Sequence, residues 1–101
     1  MPIRFSREAE EDLIQIYLAG IANVGESHAE HYMSGLRAIW LLLESNPKLT
    51  YERTDYTPPV RIHPYKSHVV IYSANEDGVI VLRVRHGAED WASDPIDAND
   101  Q

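Results

Sequence analysis

The sequence predicts an α+β fold: a short N-terminal strand, an antiparallel helical hairpin, then a three-stranded antiparallel meander, with the hairpin packed on one face of the sheet. Three observations lead there. Apolar residues recur at helical spacing over two stretches in the first half of the chain. The second half changes to β-branched runs broken by turn residues. Its final run, Val79 to His86, carries one wholly apolar face, Ile80, Leu82 and Val84. Its other face, Val79, Val81, Arg83 and Arg85, begins apolar and turns basic, as in an internal strand covered on one side and open on the other.

Taken in order, Ile3 and Phe5 flank Arg4 in a short alternating strand. Ser6 offers an acceptor for the unpaired amides of a helix start, and Glu8, Glu10 and Glu11 suit its positive end. Ala9, Leu13, Ile16, Tyr17, Gly20 and Ile21 form the buried stripe, and Gly25 terminates the helix. Ser27 and Glu30 fit a capping box for a second helix, which buries Ala29, Tyr32, Met33, Leu36, Ile39, Trp40 and Leu43 and stops at Asn46-Pro47. The two helices are expected at roughly 7–24 and 28–45. So short a turn makes them antiparallel.

Lys48 to Pro59 has no periodicity and reads as a loop. Val60 to His63 is a short strand, Pro64 favours a turn, and Ser67 to Ser73 forms the next strand. Asn75-Glu76-Asp77-Gly78 closes a second hairpin, Gly78 being free to take positive φ. The apolar Ile80-Leu82-Val84 face is expected to receive the helices. One domain is expected over 1–91, followed by a turn-rich acidic tail over 92–101 that frays.

Composition narrows the function. Hydrophobic residues at 44% and charged ones at 25% suit a folded domain, not a disordered chain. The absence of cysteine excludes disulfides, thiolate zinc sites and cysteine nucleophiles. His28 and His31 lack further ligands in sequence reach and read as solvated, so neither a metal nor a cofactor is implied. The longest apolar run, Ala38 to Leu43, is too short to span a bilayer, and the charged N-terminus lacks a signal-peptide core. A cytoplasmic protein without a membrane partner is expected. A net charge of −7 argues against binding free nucleic acid. Yet Arg53, Arg61, Lys66, Arg83 and Arg85 outnumber the acids between residues 53 and 86, a pattern suited to an acidic partner.

The segments Ser6–Leu13, Leu42–Pro47, Arg61–Tyr72 and Val79–Asp90 together resemble, in order and spacing, the ParE toxins of the RelE/ParE superfamily. The resemblance runs from residue 3 to about residue 91. It implies the toxin half of a type II toxin–antitoxin pair that inhibits DNA gyrase. A ParD-like antitoxin would hold it inactive by wrapping it with a C-terminal segment, in a hetero-oligomer of two toxins and two antitoxins or larger. Glu89 stands where many relatives carry a basic residue.

Two alternatives stay open: a RelE-like ribosome-dependent mRNA endonuclease, and a toxin-derived interaction module without toxic activity. Cleavage through a 2′-hydroxyl needs a base, an acid and cations at the phosphate. Arg61, Arg83 and Arg85 are available as cations, and Glu52, His63, His68 or His86 as base. The resemblance implies that nuclease members of the superfamily place a tyrosine or basic residue near the chain end as the acid; here Gly87 follows His86 and no tyrosine lies beyond Tyr72, so no catalytic residue is assigned. Arg61, Arg83, Arg85, His86 and Trp91 are instead the candidate residues for binding a partner or target, because clustered arginine favours carboxylate recognition.

Overall fold

Strand β5 (Gly78–His86) lies inside the sheet, between β1 (Ile3–Phe5) and β4 (His68–Asn75). The computed structural model describes residues 2–87; Glu89, Trp91 and the 92–101 tail lie outside the described residues. Between β1 and the meander come α1 (Arg7–Val24) and α2 (Glu26–Ser45), followed by β2 (Glu52–Arg53) and β3 (Val60–Tyr65). The five strands are ordered β1-β5-β4-β3-β2, with β1 parallel to β5 and the other neighbours antiparallel. The α+β architecture is the expected one. The loop expected over Lys48–Pro59 needs correcting, because Glu52 and Arg53 pair with Arg61 and Val60 as a fifth strand.

The helices begin for different reasons. Ser6 caps α1, its Oγ accepting from the Ala9 amide at 3.0 Å. No side chain caps α2, which begins at Glu26, one residue before the expected Ser27 box. Gly25 is the single residue between the helices, at φ +93°, a conformation that a side chain disfavours. The hairpin can therefore turn within one residue, and no room is left for a serine cap.

The expected packing face also needs correcting. Tyr72 pairs with Val81 but Ile71 pairs with Arg83, so Leu82 is an extra residue in β5, a β-bulge. The bulge reverses the alternation partway along the strand. Val79 and Val81 before it, and Val84 after it, join Val70 and Tyr72 against Ala9, Leu36 and Leu43 of the helices. Ile80 and Leu82 instead join Val60 and Ile71 in a second cluster, with Tyr56, Ile62 and Val69 packed beside it. All three residues of the expected face are buried, but only Val84 meets the helices.

Candidate partner-binding site

At the end of β5 two hollows adjoin. β1 ends at Phe5, and the edge of β5 it leaves is taken over by α1. The Ser6 hydroxyl donates to the Leu82 carbonyl at 2.7 Å, and further along the helix Asp12 accepts from the Val84 amide at 2.9 Å. The same carboxylate holds Arg83 through two nitrogens, Nε at 2.8 Å and Nη2 at 2.9 Å. Both side chains are largely sheltered, with 24% of Arg83 and 14% of Asp12 exposed. The expected open arginine edge is thus partly closed by the chain itself. Asp12 was not foreseen, although its position gave a signal: it lies three residues after buried Ala9 and four before Ile16, an acid on an apolar stripe.

The three arginines do not converge. Arg83 and Arg85 pair with Ile71 and Val69, on the sheet face away from the helices. Arg61 pairs with Tyr72, on the helix side, and its Nη1 donates to the Thr50 carbonyl. Its Nε is buried without a hydrogen-bond partner among the described residues. The grouping of Arg61 with Arg83 and Arg85 is therefore corrected: the bulge and the register put it across the sheet. Arg85 is half-buried and His86 exposed, both at the mouth of a hollow of about 220 Å³ that Asp12, Gln15 and Arg83 also line.

Through Gln15, Ile16, His68 and His86 this hollow opens into a groove of about 580 Å³. The groove lies between the Gly25 end of the helical hairpin and the turn joining β3 to β4. Its apolar wall comes from Ile16, Ala19, Val24 and Met33. Across from them, the Tyr32 hydroxyl hydrogen-bonds His68 Nδ1 at 2.6 Å, and the His68 and His86 rings meet edge-to-face at 5.3 Å between centroids. Lys66, at φ +51°, carries its ammonium over the rings of Tyr32 and Tyr65, at 5.7 and 5.6 Å. The Tyr65 hydroxyl donates to the Tyr32 carbonyl at 2.9 Å, and burial pushes its pKa up. Gly35 makes this possible, since a Cβ there would collide with that hydroxyl. On the outer side of the hairpin, the Tyr17 hydroxyl donates to Glu30 at 3.1 Å, and that bond raises the tyrosine pKa.

Such an arrangement suits recognition: a preformed concave surface, apolar on one wall and polar on the other, beside a neutralised arginine. A helical hairpin laid over a mixed sheet is the architecture of a small α+β domain of the RelE/ParE type. No helix among the described residues is long and apolar enough to cross a membrane. The family described as "ParE toxin of type II toxin-antitoxin system, parDE" matches residues 3–91, and the chain belongs to it. A relative, Toxin ParE3 of Caulobacter vibrioides, is 25% identical over 88 residues, covering 87% of this chain and 88% of that protein. In structure the chain is similar to one from the chromosomal ParDE TA system from P. aeruginosa, with a TM-score of 0.74. That match has 18% identity and covers 85% of this chain and 95% of the other.

Proposed function

We propose that this ParE toxin is neutralised by a ParD-like antitoxin and, once released in the cytoplasm, inhibits DNA gyrase by binding, with no chemistry of its own. The observation that carries this reading is the family match across residues 3–91. The geometry supports the binding part. Of the guanidiniums that phosphoryl chemistry would need, Arg83 is held by Asp12 and Arg61 stands across the sheet. Transition-state stabilisation demands cations aimed at one point, and these are not.

The antitoxin's carboxylates are proposed to approach at Arg85 and His86, with Arg83 already seated on Asp12. Trp91 belongs to the same proposal on sequence grounds. Arg61 remains a candidate for a separate contact on the β2 side of the sheet. Two toxins with two antitoxins, or a larger assembly, is the proposed complex.

One observation favours the endonuclease alternative: His68 and His86 are in ring contact, with the Tyr32 hydroxyl on His68. A single experiment separates the readings. The chain is induced with and without the neighbouring reading frame, and plasmid topology and transcript ends are read together. The expected result is growth arrest relieved by the neighbouring protein, with altered supercoiling or DNA breaks and intact transcripts. Transcripts cut within ribosomes, with cutting lost in His86→Ala, would replace the gyrase reading by the nuclease one. Absence of toxicity, with the neighbouring protein still binding, would leave an interaction module.

A further inference from the structure

We propose that the chain's own tail, residues 88–101, folds back over the sheet face that lies away from the helices. Trp91 and Ile96 cover the apolar cluster there, and the tail's carboxylates meet the arginines around it. The proposal concerns the free chain and does not depend on the toxin reading.

The case starts from burial without a cover. Val60, Ile71, Ile80 and Leu82 are 0%, 1%, 5% and 2% exposed, yet no residue of α1 or α2 belongs to their cluster. They spread over β3, β4 and β5, about 10 Å across at the usual strand spacing. Of the described hydrophobic residues packed beside them, Ile62 and Val69 lie in the sheet itself, and only Tyr56 comes from outside it. Arginine stems can shelter some apolar surface, but their head groups stay in water and do not close a face. A sheet face this dry normally has a second layer against it.

Charge indicates what that layer is. Pairing puts Arg4 beside Ile80, Arg53 beside Val60, and Arg83 and Arg85 beside Ile71 and Val69, so all four arginines stand on this face. Among the described strands the only acid is Glu52, which pairs with Arg61 on the other face. Asp12 and Asp55 reach Arg83 and Arg53 from outside the sheet. A cover for such a face needs apolar side chains at its centre and negative charge at its margin. Residues 88–101 have that composition: Trp91 and Ile96 stand among Glu89, Asp90, Asp94, Asp97 and Asp100, with no lysine or arginine.

The tail also starts at the right place. Gly87, whose amide donates to the Ser67 carbonyl at 2.8 Å, directly follows the end of β5. From there back to Ile80 is about 23 Å along the strand, and residues 88–97 reach about 33 Å when extended. Because the segment is tethered, an effective concentration of about millimolar keeps even a weak contact closed. An outside anion approaching Arg85 therefore has to displace the tail.

The test uses the full chain. It has no cysteine, so Ala98→Cys gives a single position for a nitroxide label and keeps every acid. Methyl signals are compared with the label oxidised and reduced. Ile71, Ile80 and Leu82 are expected to lose most of their intensity, and Leu36 and Leu43 on the helix side and Met33 in the groove far less. In the same background, Asp94→Asn/Asp97→Asn is expected to restore part of the lost intensity, and Trp91→Ala/Ile96→Ala nearly all of it. If the second variant does not fold, the first decides, since it changes charge alone. Equal losses on both faces, losses centred on Met33, or no loss overturn the proposal. Losses that the substitutions do not relieve overturn it as well. Signal loss in unlabelled chains mixed with labelled ones would give the face to a second copy, and that too overturns it.

Discussion

Two arginine–aspartate pairs in this molecule have nearly the same geometry and entirely different consequences. Arg83 grips Asp12 through Nε and Nη2 at 2.8 and 2.9 Å; Arg53 grips Asp55 through the same atoms at 3.1 and 2.9 Å. The first joins residues 71 apart in sequence, the second residues two apart. Exposure separates them too, at 24% and 14% for the first pair against 33% and 61% for the second. A two-pronged contact is thus no measure of worth by itself. Its value depends on how far water is excluded and on how many other groups lose a partner when it breaks. At the α1–β5 seam the lost partners include a backbone amide, Val84.

The largest effect is therefore expected at Asp12. Asp12→Ala strips the partner from a largely buried guanidinium and leaves the Val84 amide unpaired, at a cost of about 2–4 kcal/mol. Urea unfolding followed by circular dichroism gives the value. A double-mutant cycle with Arg83→Ala should return a coupling of about 1–3 kcal/mol, while the cycle between Arg53 and Asp55 should return none that can be measured. Equal couplings in the two cycles would break the comparison.

A middle-sized effect tests the same contrast without charge. Ser6 is 1% exposed and serves both Leu82 and Ala9, whereas Ser27 lies exposed just inside an uncapped helix. Ser6→Ala is expected to cost about 1–2 kcal/mol, and Ser27→Ala to stay within about 0.5 kcal/mol of wild type. If Ser27→Ala costs as much as Ser6→Ala, the start of α2 has been misjudged.

These same positions show what could be read beforehand. Helix α1 was legible because Ser6, the acidic first turn and the apolar stripe all pointed to one answer. The start of α2 was not, because Ser27-His28-Ala29-Glu30 satisfies a local pattern that the one-residue junction at Gly25 overrides. The faces of β5 misled for another reason. Val79 to Leu82 is apolar at every position, so alternation alone cannot locate a bulge, and Leu82 shifts the parity of all that follows. The arginine face was identified, but its anion was not, since strand patterns carry no information on a helix residue 71 positions away. The histidine groove was invisible for the same reason. His28, His31, His68 and His86 come from two distant parts of the chain, and only tertiary packing brings them to one rim.

The smallest expected effect lies at the exposed pair, and it has a pH signature with a definite sign. The hydrogen bond from Arg53 holds the Asp55 pKa below its ordinary value. A carboxylate whose pKa is lower in the folded state stabilises the fold above the unfolded pKa, and that contribution disappears as pH falls through the folded value. The window is acidic, so nothing changes across the neutral range, and solvent screening keeps the contribution slight. Asp55→Asn should therefore melt within error of wild type at pH 7, and only its acid limb should differ. Arg53→Ala should fall slightly further, because the guanidinium also lies over the Tyr56 ring at 5.2 Å, and Tyr56 packs against the second apolar cluster. Melting curves of both variants between pH 3 and 7 settle the point. A larger loss in Asp55→Asn than in Arg53→Ala would mean that the ion pair, not the aromatic contact, fixes the segment beside β2.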